Sequence, residues 1–194
     1  MDICVYCGSS AGHDPAFRAA AESMGQHIGT GGHRLVYGGG KVGLMGAVAD
    51  ATLAAGGPVT GIMPQALVDR EIAHKGLTDL IVVDSMHTRK TVMAEKSDAF
   101  VAMPGGAGTF EEIFEQWTWA QLGIHQKPVG FLNVDGYYDP LLAMIDRAAQ
   151  AGFMKPEYAT MVIVETEPDQ LITRFADYEA PAPKWQDSAP AVRP

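Results

Sequence analysis

The sequence has little cysteine, with only Cys4 and Cys7 in 194 residues. That excludes a disulfide-stapled miniprotein, whose cross-links stand in for a core. Long hydrophobic runs are also missing. No stretch approaches the ~18 uninterrupted apolar residues of a membrane span, so no membrane is expected as a partner. Basic charge is scarce: 14 Lys and Arg face 23 Asp and Glu, a formal charge of −9. A bulk electrostatic grip on nucleic acid needs a basic face, so nucleic acid is not expected either. There is no H-E-x-x-H or other paired His spacing for zinc, no G-x-S-x-G, no G-x-G-x-x-G after the first strand and no Walker sequence. No internal repeat is found. Met1-Asp2-Ile3 carries no basic stretch of the signal-peptide kind, and a cytoplasmic protein is expected.

What is present is an apolar fraction of 47% with only 19% charged residues, which excludes a disordered chain. Short apolar runs alternate with helical patterns. Strands are expected at Ile3–Cys7, Leu35–Tyr37, Val59–Met63, Leu80–Val83, Ala99–Met103, Val129–Leu132 and Met161–Val164. Asp14-Pro15 reads as an N-cap followed by proline at the first helical position, opening a helix that Gly31-Gly32 ends. Further helices are expected over 43–55, 86–96, about 110–122, 139–150 and 168–177. Residues 65–79 read as a loop with a helical piece. Strands that alternate with helices of this length need crossover connections, which make the strands parallel and place helices on both faces. The fold class is therefore α/β: a Rossmann-like three-layer sandwich with a mainly parallel sheet of about seven strands. One domain is expected over 1–178. The tail, 179–194, holds Pro181, Pro183, Pro190 and Pro194 and reads as extended or solvated, Trp185 included.

Ligands in such sheets sit at the carboxyl ends of the strands. That rule selects Gly8-Ser9-Ser10, Gly38-Gly39-Gly40, Asp84-Ser85 and Pro104 to Thr109. In the last, a strand ends in Pro104-Gly105-Gly106-Ala107-Gly108 and a helix begins. Glycines let main-chain N–H groups approach a ligand, and the helix start adds a partial positive charge, so together they make a phosphate cradle. Thr109 and Glu112 also fit a capping box, which needs no ligand. A cap uses at most one glycine, and three favour the cradle. Arg89 and Lys90 fall near the N-terminal end of a helix capped by Asp84 or Ser85, where cations oppose the helix dipole. Local rules are broken where function is built. In the third glycine cluster, Gly39 and Gly40 suit ligand approach, and Gly43 and Gly46 suit packing. Cys4 and Cys7 share one strand-type run, where positions i and i+3 face opposite ways, so they read as buried inert thiols. Trp117 and Trp119 read as core and interface aromatics.

Pro104 to Glu112 matches every fixed position of the PGGxGTxxE motif, and Arg89-Lys90 matches the R-K pair that precedes it. In these residues the chain resembles the LOG ("lonely guy") family, phosphoribohydrolases of cytokinin riboside 5′-monophosphates long mislabelled as lysine decarboxylases. Val5–Ser10, Tyr37–Gly46, Trp119–His125 and Asn133–Tyr138 look like the same family, and the similarity spans about residues 2–175. The resemblance implies hydrolysis of the N-glycosidic bond of an N6-modified AMP, and of plain AMP, to free base and ribose 5-phosphate. By motif position, Arg89 and Glu112 carry over as the catalytic pair. Glu71, Lys90, Gly105, Gly106, Ala107, Gly108, Thr109, Phe110, Glu111 and Thr118 carry over as substrate contacts, beside Gly8, Ser9, Gly39 and Gly40 from the strand ends. Ala107 occupies the motif's free position, where an aromatic is common. No cofactor and no metal are implied, and family members are usually homodimers. Loss of a base from ribose builds positive charge at the anomeric carbon, which a carboxylate at Glu112 would stabilise. Arg89 would orient Glu112 and hold it ionised, or contact the phosphate. Two other readings compete. One is a nucleotide or molybdenum-cofactor carrier without catalysis. The other is an NAD-dependent oxidoreductase, disfavoured because the fingerprint is missing after the first strand and no acidic residue ends the second strand at Tyr37. Lysine decarboxylation has no pyridoxal-lysine context.

Overall fold

A computed structural model describes residues 1–70 and 72–184. Seven strands form one sheet: β1 (Asp2–Tyr6), β2 (Arg34–Tyr37), β3 (Val59–Pro64), β4 (Asp79–Val83), β5 (Ala99–Ala102), β6 (Val129–Leu132) and β7 (Ile163–Glu165). Their order is β4-β3-β2-β1-β5-β6-β7 and every pairing is parallel. Among the described residues, eight helices accompany them: α1 (Pro15–Thr30), α2 (Gly43–Ala54), α3 (Gln65–Val68), α4 (Met86–Glu95), α5 (Ala107–Leu122), α6 (Asp139–Gln150), α7 (Pro156–Ala159) and α8 (Pro168–Ala176). The short α7 and a 3-10 turn at Val134–Gly136 had no clear sequence signal.

Alternation along the strands divides the core into two halves. Ile3, Val5 and Cys7 point into one, filled by Met24 and Ile28 of α1, Val48 of α2 and Phe175 of α8. Cys4 and Tyr6 point into the other, filled by Met93 of α4, Ile113 and Trp117 of α5 and Ile145 of α6. The two thiols are thus on opposite faces and free. Burial pushes the Cys4 thiol up to about 12 and raises Cys7 as well, which keeps both protonated.

Local signals account for most boundaries. Asp14 caps α1 by accepting from the Ala16 N–H at 2.9 Å, with Pro15 in the first turn. Ser85 caps α4, accepting from the Thr88 N–H at 3.1 Å. Two boundaries differ from expectation by more than one residue. β7 begins two residues later than the apolar run Met161–Val164. More important, α5 begins at Ala107 with Gly106 as N-cap and no side-chain cap bond. The capping-box reading of Thr109 and Glu112 fails, because Thr109 is already the third helical residue and its hydroxyl folds back over Gly105. Residues 179–184 hold no helix or strand and are fastened to the body. Lys184 N–H donates to the Gln121 carbonyl at 2.9 Å, and the Tyr158 hydroxyl donates to the Ala182 carbonyl at 3.3 Å. Trp185 lies outside the described residues. No helix among the described residues is long and apolar enough to cross a membrane.

Candidate active site

The strand order reverses direction between β1 and β5, and such a switch point opens a crevice at the strands' carboxyl ends. Here the two glycine turns meet. The Gly8 N–H donates to the Pro104 carbonyl at 3.0 Å, and the Leu44 N–H at the start of α2 donates to the Gly8 carbonyl at 3.0 Å. A cleft of about 310 Å³ lies above them, lined by Gly8, Ser9, Leu44, Gly105, Gly106 and Tyr137. Gly43 allows this meeting. Its φ is +63°, and a Cβ there would fall 2.3 Å from the Ser9 carbonyl. Gly46, with Lys41 main chain 2.3 Å from its missing Cβ, is likewise a packing glycine.

The three glycines of the β5–α5 turn divide by cause. Gly105 is required by packing: a Cβ would come within 2.1 Å of Thr109 Oγ1 and 2.9 Å of Gly8 N. Gly106 and Gly108 have no protein atom within 4 Å of their missing Cβ. Both are exposed, with Ala107 between them. No protein contact demands glycine at these two positions, and the open space leaves their main chain free to be approached closely. The uncapped first turn of α5 presents main-chain N–H groups on the same side. Tyr137 steadies the turn from below, donating its hydroxyl to the Gly105 carbonyl at 2.5 Å.

Arg89 and Glu112 come together from α4 and α5. Arg89 Nη2 lies 3.9 Å from Glu112 Oε1, an ion pair rather than a hydrogen bond. Their side chains are only 11% and 14% exposed, so solvent screens the pair weakly. Burial pushes the Glu112 carboxyl up to about 7, Arg89 and Lys90 pull it down, and Glu111 and Glu115 add to the rise. Arg89 thus favours the ionised carboxylate in the expected direction, but desolvation outweighs the cation. Lys90 is paired with Glu111 and, at 3.0 Å, with Glu115. Burial works against its charge, but those hydrogen bonds prevail and raise its pKa.

Other expected contacts are placed differently. Gly39 and Gly40 are buried, and their main chain is engaged by the segment after α3. Gly40 bridges Ala73, the Gly39 carbonyl accepts from the His74 N–H at 2.9 Å, and Lys41 N–H donates to the Ile72 carbonyl at 3.1 Å. Gly39 is also held at a φ of +78°, and a Cβ at Gly40 would fall 2.8 Å from Met45 Cε. Ser9 is exposed at the cleft, and Phe110 is half-buried with its ring edge toward Tyr138. Thr118 is exposed on α5, its hydroxyl donating to the Phe114 carbonyl at 2.7 Å. Glu71 lies outside the described residues.

The sequence reading missed a set of polar groups behind this pair. Arg89 Nε, Glu115 Oε2, both amide atoms of Gln116 and the Tyr6 hydroxyl are buried without a hydrogen-bond partner. A signal existed for Gln116, a polar residue on the stripe of α5 that carries Ile113, Trp117 and Ala120 into the core. Among the described residues, no group of three or more His, Cys, Asp or Glu is placed to hold a metal ion.

The sequence family described as possible lysine decarboxylase matches residues 45–175. A probable cytokinin riboside 5′-monophosphate phosphoribohydrolase of Oryza sativa subsp. japonica, LOGL1, is 46% identical over 192 residues, spanning 96% of this chain and 86% of its own. The Arabidopsis thaliana cytokinin riboside 5′-monophosphate phosphoribohydrolase LOG7 is 46% identical over 177 residues, spanning 91% and 82%. Among solved structures, the molybdenum cofactor binding protein of Rippkaea orientalis superposes with a TM-score of 0.70 at 24% identity, covering 91% of this chain and 95% of that one. At that identity the likeness concerns the fold alone.

Proposed function

Because the chain belongs to the LOG family, whose curated members above are cytokinin riboside 5′-monophosphate phosphoribohydrolases, we propose that it is an N-glycosyl hydrolase of N6-modified adenosine 5′-monophosphates. It releases free base and ribose 5-phosphate, and it takes plain AMP as a further substrate. The observation that carries this reading is the Arg89–Glu112 pair, buried beside the uncapped start of α5.

The 5′-phosphate sits on the main-chain N–H groups of Gly106 to Thr109, at the positive end of the helix. Glu112 is six residues past Gly106, about 9 Å along the axis at 1.5 Å per residue. That is the scale of a ribose phosphate. The phosphate thus acts as a handle that sets the anomeric carbon beside the carboxylate. As the C1′–N9 bond breaks, the base leaves with the electron pair and positive charge grows on the sugar. Glu112 stabilises that charge and accepts a proton from the water that attacks C1′. A carboxyl titrating near 7 is well matched to proton transfer at neutral pH. Arg89 holds it in place and keeps part of its population ionised.

The protein is further proposed to act as a cytoplasmic homodimer. Thr118 is twelve residues past Gly106, about 18 Å along α5. A nucleoside monophosphate held at the start of that helix does not reach it, so a Thr118 contact belongs to a second copy. The test is product analysis with isopentenyladenosine 5′-monophosphate, AMP and the matching nucleosides. Free base is expected from the monophosphates and little from the nucleosides. Glu112→Gln is expected to keep AMP affinity and lose turnover. Binding by the parent protein without release of base would make it a carrier.

A further inference from the structure

We infer that Gly38 is a positioning residue for the site: its missing side chain is the space in which the Arg89 guanidinium rests. Gly38 directly follows β2 and is buried. A Cβ at this position would fall 1.9 Å from Arg89 Nη2 and 3.1 Å from its Cζ, and real Cβ atoms do not approach other heavy atoms within 3.0 Å. The backbone gives no other reason for glycine, because Gly38 is not among the positive-φ glycines. The next atom, Met45 Sδ, is 3.6 Å away. Arginine alone therefore excludes a side chain here.

The identity of that neighbour decides what a substitution does. At Gly25 a Cβ would strike the Val48 carbonyl at 2.4 Å, and two helices would have to separate. At Gly38 it strikes the tip of a long flexible side chain, which moves without disturbing the sheet. The methyl group of an alanine thus displaces Arg89 and leaves the fold standing. The guanidinium is otherwise lightly held. Nη1 lies 3.6 Å from Met86 Sδ, Nη2 lies 3.9 Å from Glu112 Oε1, and Nε has no partner. With so few directional bonds, its place is set by the shape of the seat, and Gly38 forms the floor.

Displacement of Arg89 removes from Glu112 the cation that opposes its desolvation. The other groups acting on Glu112 are Lys90 of α4, Glu111 and Glu115 of α5, and Cys4, Tyr6 and Cys7 at β1. Tyr6 flanks Gly38 on the neighbouring strand, but the nearest atoms to the missing Cβ belong to Arg89 and Met45, so a change at Gly38 reaches Glu112 through Arg89.

The inference rests on the proposed function only where activity is read. The experiment compares Gly38→Ala, Arg89→Ala and the double variant by thermal melting, by NMR titration of the Glu112 carboxyl, and by turnover of AMP. Gly38→Ala is expected to melt with the parent and to move the Glu112 midpoint up by about one pH unit, as loss of a nearby cation does. Its kcat is expected to fall about 100-fold, as small misplacements in active sites do. The double variant is expected to be no worse than Arg89→Ala, since both changes remove one interaction. Should Gly38→Ala fail to fold, the double variant is expected to fold, because the obstructing side chain is gone. An unmoved Glu112 midpoint, additive losses in the double variant, or a double variant that also fails to fold would each overturn the assignment. If the parent shows no hydrolysis, the melting and titration arms still decide the role of Gly38.

Discussion

A single carboxylate, Glu112, carries both a cost in stability and the proposed chemistry. In the unfolded chain it titrates near 4.5, and in the fold near 7. Between those values the folded state retains a proton that the unfolded state has released. Stability therefore falls as pH rises from 4.5 to 7 and levels off above. At 1.36 kcal/mol per unit, the ionised form costs the fold up to roughly 3 kcal/mol. Glu112→Gln is expected to melt higher than the parent at pH 8 and with it at pH 4, seen by melting across that range. The parent's kcat/KM is expected to rise with pH through about 7, the limb of a carboxylate base. Gain of stability together with loss of activity is what a strained functional residue shows on removal.

Helix α5 joins two unlike tasks, and its residues separate them. Its far half is an anchor. Trp117 is buried, and its indole N–H donates to the Tyr158 carbonyl at 3.1 Å. Its start is the proposed phosphate cradle, with Gly106 and Gly108 open to the outside and Gly105 wedged against Thr109 and Gly8. Gly105→Ala is expected to lower the melting temperature, because Thr109 Oγ1 stands 2.1 Å from the added carbon and buried Thr109 has no room to retreat. Gly106→Ala meets nothing, and its φ of −98° suits any residue. It is expected to leave the melt unchanged while raising KM for AMP several-fold, measured by steady-state kinetics. Equal behaviour of the two variants would remove the distinction between wedge and cradle.

For the whole molecule, the parallel order with its reversal at β1 and β5 brings together the starts of two segments nearly a hundred residues apart. α4 then supplies Arg89 from the side. If Thr118 serves the second copy, each site is shared between chains. Mixing inactive Glu112→Gln with an inactive Thr118 variant, with unfolding and refolding to exchange subunits, is expected to restore part of the turnover. One hybrid site then carries both native residues. Sedimentation of the parent as a dimer is expected with it. Neither mixture nor parent gaining activity on association would return Thr118 to the solvated surface.

Much of this was legible before folding. Alternating strand and helix periods fix a parallel sheet, because each crossover leaves the chain no other way to return. Glycine clusters after strands mark where main chain must be approached, and Arg89 and Lys90 break the helix-dipole rule at the point where they pair with the carboxylates of α5. What the linear pattern left open was which approach each glycine serves. Gly39 serves a left-handed turn, Gly40 a methionine, Gly105 a threonine, and Gly38 an arginine fifty-one residues on. Likewise Arg89 beside Glu112 suggests ionisation, yet burial keeps the carboxyl near 7. Both outcomes depend on what occupies the space around a residue and how much water remains there. Those quantities exist only once distant segments have packed, and no local spacing encodes them.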